Sequence, residues 1–335
     1  MNIEIFGATG LVGKEFIKLL EDNHLNIKFN NIRVFASESS IGKNINFRGL
    51  NLIVETYNNK IYSELDVLIL CTSNNISKDI VKHAKSYNCL IIDNSSAFRY
   101  DKNVPLIVPE INGHLIKNNK IIANPNCCTA LLTLVLYPLH IKYNINKVIV
   151  NTYQSASGAG QKGLDELILN PTENYPVFGR QYLYNVFSHN SEIDLGSLYN
   201  DEEVKIMTET KKILNSDIKI TATCVRVPTI RAHAESVHIN FENEVNLEEI
   251  KLILNEKDGI IVEDDYKNGE FPEPIKVENK FDVMVGRIRY DLTDESKKSI
   301  NLFLCGDQLL KGAALNAYQI LKLCSESEQF INKYL

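Results

Sequence analysis

The residues best suited to covalent chemistry stand in one run, Asn124-Pro125-Asn126-Cys127-Cys128-Thr129. The apolar residues 121–123 before it read as a strand. Residues 130–139 after it are apolar and long enough for a buried helix. Asn126 at the join is a candidate N-cap, which puts a thiol in the first turn of that helix. Unpaired N–H groups and the positive dipole end there favour a thiolate. Such a thiolate can attack a carbonyl carbon and hold the oxyanion that forms. A lone cysteine is more often plain core, so the reading depends on partners elsewhere.

Candidate partners follow in chain order. Arg99 ends the run Asp93-Asn94-Ser95-Ser96-Ala97-Phe98-Arg99, just beyond the strand 90–92, where an anion could bind. A strand at 147–152 leads into Tyr153-Gln154-Ser155-Ala156-Ser157-Gly158-Ala159-Gly160, whose small residues allow close approach of a ligand or a partner subunit. Glu209-Thr210-Lys211-Lys212 opens a helical segment in which Glu209 and Lys212 share a face. Arg226 closes the β-branched stretch 218–227, and His233 is read on the loop before a strand at 237–241. An arginine and a histidine there could serve as anion clamp and acid/base. His238, inside that strand, reads as structural.

These side chains need a frame. Asn2 to Phe6 reads as a strand, Gly7-Ala8-Thr9-Gly10-Leu11-Val12-Gly13 as a glycine turn, and the residues through Leu20 as a helix. That order suits a dinucleotide pyrophosphate at a helix N-terminus. After the second strand, 32–36, comes Ser37-Glu38-Ser39-Ser40-Ile41-Gly42-Lys43. Ser37, Ser40 and Lys43 favour the 2′-phosphate of NADP, whereas Glu38 favours a free ribose hydroxyl. Alternating strands and helices from 2 to 140 argue for a doubly wound parallel sheet, and the later strands for a mixed α+β second domain. A terminal helix is expected over 309–323, whereas residues 164–205 give no clear assignment.

The chain has 335 residues, enough for two domains, with a net charge of −6 and a pI near 5.7. Nothing in that balance points to nucleic acid. No stretch is long and apolar enough to span a bilayer, and the N-terminus lacks a signal-peptide layout. Seven cysteines without a metal-ligand pattern fit a cytoplasmic protein with reduced thiols.

Taken together, the glycine turn, Ser95 to Arg99, Asn124 to Cys127, Gln154 with Ser157 to Gly160, Glu209 to Lys212, Arg226-Val227-Pro228, Ala232-His233-Ala234-Glu235, and Gly306-Asp307-Gln308 with Lys311-Gly312-Ala313-Ala314 resemble aspartate-semialdehyde dehydrogenase over nearly the whole chain. The resemblance implies NADPH-dependent reduction of 4-phospho-L-aspartate to L-aspartate 4-semialdehyde, on the route to lysine, threonine and methionine. It implies Cys127 as nucleophile, His233 as acid/base and Gln154 as the residue orienting substrate. Arg226 would hold the substrate carboxylate and Glu209 its ammonium, with Arg99 and Lys212 at the phosphate. The glycine turn, Ser157, Gly158 and Gln308 would meet the cofactor. It also implies a dinucleotide-binding domain of 1–126 plus 309–335, a catalytic and dimerisation domain of 127–308, and a homodimer or dimer of dimers. The sequence departs from the family at Asn74-Asn75, where glycines are usual, and at Ser39, where an arginine is usual. N-acetyl-gamma-glutamyl-phosphate reductase shares the same logic, and a non-enzymatic NADP-binding protein of this fold is a third reading.

Overall fold

The computed structural model describes residues 1–56, 65–84, 86–116, 119–169 and 174–327. The chain divides into two compact units, residues 1–125 with 313–335, and residues 126–312. Of the expected terminal stretch, 328–335 lies outside the described residues, as do 170–173 of the unassigned middle.

In the first unit the strands are β1 (Asn2–Phe6), β2 (Asn31–Phe35), β3 (Asn44–Phe47), β4 (Leu50–Ile53), β5 (Val67–Leu70), β6 (Leu90–Asp93) and β7 (Ile121–Ala123). Helices α1 (Leu11–Asp22), α2 (Asn74–Ala84) and α3 (Pro109–Asn112) intervene. Five strands form a parallel sheet in the order β2-β1-β5-β6-β7. β5 and β6 are buried at every position, as a sheet covered on both faces requires. The hairpin β3-β4, not foreseen from sequence, turns on Arg48 and Gly49, both with positive φ.

The second unit begins with α4 (Cys127–Tyr143), then β8 (Ile145–Gln154), α5 (Gly160–Leu169), β9 (Phe187–Ser188), α6 (Asp201–Leu214), β10 (Lys219–Arg226), β11 (His233–Phe241), α7 (Leu247–Asn255), β12 (Ile260–Val262), α8 (Pro274–Val277), β13 (Val283–Tyr290) and β14 (Ser299–Gly306). Its strands form a mixed sheet in the order β12-β13-β14-β11-β8-β10-β9. The architecture is α/β, a parallel sheet in one unit and a mixed sheet in the other, as the sequence pattern anticipates.

From Lys147 onward the side chains of β8 alternate. Val148, Val150, Thr152 and Gln154 are buried, whereas Lys147, Asn151 and Tyr153 are exposed. The buried face is shared by Cys224 and Arg226 of β10 and by His233, Glu235 and Val237 of β11. Val148, Val150, Cys224, Val237, Leu302 and Leu304 form one core with Leu131, Leu132, Val135 and Leu139 of α4. α4 is apolar on nearly every side, which suits a helix buried all round. Towards its N-terminus the sheet face beneath turns polar, and there the candidate side chains gather.

Three local expectations are corrected. His233 opens strand β11 and is not on a loop, because the antiparallel ladder with β14 already begins at its pairing with Gly306. α6 starts at Asp201, well before Glu209, behind a capping box of Asn200 and Glu203. The terminal helix opens with a π-turn, Leu310–Ala314, and becomes regular only in α9 (Leu315–Ser325).

Candidate active site

Asn126 caps α4 as the sequence suggests. Its Oδ1 accepts from the N–H groups of Cys128 and Thr129 at 3.0 and 3.2 Å. The cap is itself gripped twice. Its backbone N–H donates to Glu209 Oε2 at 2.6 Å, and its Nδ2 to Glu202 Oε1 at 2.8 Å. Glu202 and Glu209 lie about two helical turns apart on one face of α6, so a single helix holds the turn in front of Cys127.

The Sγ atoms of Cys127 and Cys128 and a ring nitrogen of His233 lie within 4.8 Å of one another. The Cys127 thiol is held well below the ordinary thiol range. The chief cause is the hydrogen bond from Cys128, with His233 adding to it against burial and the Glu202 charge. Cys128 is pushed well above that range by burial and the neighbouring sulfur. The pair thus divides into a thiolate former and its donor.

His233 is fully buried. Its Nδ1 lies 3.1 Å from the backbone N of Ser155 and 3.2 Å from Ser155 Oγ. Its Nε2 is buried with no hydrogen-bond partner among the described residues. A Cβ added to Gly158 would fall 3.1 Å from that Nε2 and 2.9 Å from Arg226 Nη1. Arg226 and His233 therefore converge where the chain has no side chain. Arg226 also donates to Ser155 O at 3.2 Å and stands 5.8 Å over the Phe178 ring.

Ala232, just before His233, has a φ of 65°, a strained value for a non-glycine residue. Gln308 steadies it. Gln308 Oε1 accepts from Ala232 N at 2.7 Å, while its Nε2 donates to Ser157 Oγ at 2.6 Å. The side chains of Gln308 and Ser157, both expected at the cofactor, are thus bonded within the second unit.

Two carboxylates here were passed over in the sequence. Glu202 Oε1 accepts from Gln154 Nε2 at 3.3 Å, and its Oε2 pairs with Lys205 Nζ at 3.6 Å. Burial would raise the Glu202 pKa, but surrounding positive charge and the Asn126 hydrogen bond bring it to about 2. His189 is itself pushed down to about 3 by burial and by Arg226, so near pH 7 the cations acting on Glu202 are Lys205 and Arg226. Glu235 lies two residues past His233 on the same strand face, and neither carboxyl oxygen has a hydrogen-bond partner among the described residues. Burial, then the charge of Cys127, drives its pKa well up, which favours the protonated form. Glu202 escaped notice because Asp201-Glu202-Glu203 reads as an ordinary acidic first turn, and Glu235 because acidic residues in strands usually face water.

Lys212 is half-buried on α6, one turn beyond Glu209. Arg99 belongs to the first unit, where it is buried and donates to Asn94 O at 2.8 Å. In that unit Gly7 has φ of +80°, and a Cβ there would meet Cys71 O at 2.0 Å, so only glycine fits the turn. Gly10 is the N-cap of α1, with no side chain capping it, and Leu11, Val12 and Gly13 form the first turn. Ser40 Oγ lies 3.4 Å from Thr9 Oγ1 and 3.3 Å from Lys43 Nζ. Ser37 Oγ lies 3.1 Å from Ser39 Oγ.

Residues 2–119 match the semialdehyde dehydrogenase NAD binding domain, and residues 136–311 the semialdehyde dehydrogenase dimerisation domain. The chain is 42% identical to the aspartate-semialdehyde dehydrogenase of Prochlorococcus marinus, over 96% of this chain and 95% of that one. It is 37% identical to the Bacillus subtilis enzyme of that name, over 96% of each. Among solved structures it is similar to aspartate semialdehyde dehydrogenase II from Vibrio cholerae complexed with ASA. There the TM-score is 0.91 at 33% identity, with 100% and 99% of the two chains covered. The Candida albicans enzyme with NADP has a TM-score of 0.75 at 25% identity, with 97% and 98% covered. With both domains matched in order and relatives matched along their whole length, the chain belongs to the aspartate-semialdehyde dehydrogenase family.

Proposed function

We propose that the protein reduces 4-phospho-L-aspartate to L-aspartate 4-semialdehyde and phosphate, with Cys127 as nucleophile and His233 as acid/base. The observation carrying this reading is the lowered thiol of Cys127 at the capped head of α4, beside the unpartnered Nε2 of His233. The Cys127 thiolate attacks the acyl carbon, the carbon–oxygen bond to phosphate breaks, and a thioester remains. N–H groups at the head of α4 stabilise the oxyanion on the way. The chemistry supplied by bound NADPH is a hydride for the thioester carbon. His233 gives a proton to the resulting oxygen and takes it back as the carbon–sulfur bond breaks, which releases aldehyde and thiolate.

The substrate carries a carboxylate, an ammonium and a phosphate. Arg226 suits the carboxylate. For the ammonium we favour Glu202 over Glu209, because Glu202 sits with Gln154 and Arg226, the groups proposed to orient the substrate and hold its carboxylate. Lys205, paired with Glu202, then replaces Lys212 as the cation for phosphate. Gln154 orients the substrate beside the thiol.

The glycine turn and the uncapped head of α1 suit a pyrophosphate, and Ser40 and Lys43 suit a 2′-phosphate. In the second unit Gln308 holds the loop of Ser157 and Gly158, whose small residues leave room for close approach of a ligand. The exposed face of β8 supports a homodimer built on the second unit, and seven unpaired cysteines support a cytoplasmic setting. The test is phosphate-dependent reduction of NADP with L-aspartate 4-semialdehyde. Equal or better turnover with N-acetyl-L-glutamate semialdehyde would overturn the assignment.

A further inference from the structure

Among the described residues no carboxylate is bonded to His233; the groups at its Nδ1 both belong to Ser155. The backbone N–H at 3.1 Å can only donate, so it suits a ring without a proton on Nδ1. The hydroxyl at 3.2 Å can also accept, so it suits a ring with one. Ser155 is fully buried, and its Oγ lies 3.4 Å from Ser157 Oγ. Ser157 Oγ donates to Ile230 O and accepts from Gln308, which leaves a lone pair for the Ser155 hydroxyl hydrogen. With its hydrogen turned that way, Ser155 Oγ presents a lone pair to Nδ1.

We propose that Ser155 is a positioning residue that serves His233 in both protonation states, its N–H holding the resting ring and its hydroxyl the working ring. In the resting neutral ring the proton is on Nε2 and Nδ1 accepts from Ser155 N–H. The acid form carries protons on both nitrogens, and Ser155 Oγ accepts the one on Nδ1. When Nε2 passes its proton to the substrate oxygen, the ring keeps the Nδ1 proton, still held by Oγ, and Nε2 offers a lone pair for the return. Only the Nε2 proton moves during turnover. The proposal rests on His233 being the acid/base.

Ser155→Ala keeps the N–H and removes the acceptor. The limb of kcat that needs the protonated ring should then move down by about one pH unit, with reductive turnover near neutrality down about tenfold. The oxidative direction passes through the same protonated ring, so its limb should move in the same sense. Ser155→Thr, which restores a hydroxyl, should return the limb. A purely structural role would lower kcat alike at every pH and leave the limb in place, and that result would overturn the proposal. ¹⁵N-histidine spectra of the unaltered protein test it without a variant. Nδ1 should gain a proton across the active pH range, and an Nδ1 that stays bare throughout would overturn it too. His233→Asn separates the two readings. An active His233→Asn protein removes the acid/base role itself, whereas an inactive one with an unmoved Ser155→Ala limb removes only the role of Ser155.

Discussion

Gly312 lies so close to Cys127 that a Cβ on it would stand 2.9 Å from the Cys127 Cβ. A methyl group there must push either the glycine backbone or the head of α4. Gly312→Ala should lower kcat about tenfold or more and reduce Tm by a few degrees, in line with an overpacking penalty of about 1–3 kcal/mol. Steady-state kinetics with a thermal melt checks this, and an unchanged kcat would mean that the site tolerates the shift.

The two adjacent cysteines should behave differently. Cys127→Ala should abolish turnover, whereas Cys128→Ser, which keeps a donor beside the thiol, should retain much of it. Cys128→Ala removes that donor and should raise the pH at which Cys127 alkylates towards the free-thiol value of about 8.5. Alkylation rate against pH for the three proteins decides the matter. An identical profile for Cys128→Ala would leave His233 alone responsible for the thiolate.

The Asn-Pro-Asn run, the cap and the thiol were legible in sequence because capping is local, and so was the parallel sheet, whose strands are continuous apolar runs. The Glu202 site was not legible. A carboxylate in the first turn of a helix usually faces water, and only the packing of α6 against Asn126 and Gln154 turns this one inward. Glu209 and Lys212 shared a face as expected, yet Glu209 meets the cap of α4 through the backbone N–H of Asn126, a partner that no side-chain pattern reveals.

Glu202 should betray itself in acid. Its carboxyl titrates at about 2 in the folded protein against an ordinary 4.5, so the stability it contributes is complete above 4.5 and disappears as pH falls towards 2. Glu202→Gln should therefore show a shallower loss of Tm across that window. It should also raise KM for the semialdehyde more than it lowers kcat, if ammonium pairing is equal in ground and transition states. A selective fall in kcat with KM untouched would move Glu202 from substrate binding to positioning.

Glu235 has the opposite sign. Burial and the Cys127 charge raise its carboxyl well above 4.5, so its contribution is complete below 4.5 and declines as pH rises towards its folded-state value. Glu235→Gln does not titrate. Its Tm relative to the unaltered protein should improve steadily as pH rises above 4.5. A difference independent of pH would show that Glu235 ionises without penalty.

On the cofactor side, Lys43→Glu should weaken NADPH binding and leave NADH nearly unaffected, because Lys43 and Ser40 are bonded to each other where a 2′-phosphate would sit. Fluorescence titration with both nucleotides measures this. Tighter NADH than NADPH binding by the unaltered protein would show that Glu38 dominates the loop.

Cys127, Gln154, Ser155, Glu202, Arg226, His233 and Glu235 all fall within residues 126–312, whereas Ser37, Ser40 and Lys43 fall within residues 1–125. The groups proposed for acyl transfer and those proposed for nucleotide preference are therefore inherited on separate stretches of the chain. A lineage can trade one dinucleotide for the other through a few codons near 40 while its thiol keeps the same surroundings. Selection on the supply of reducing equivalents and selection on the acyl donor then act on different parts of one gene.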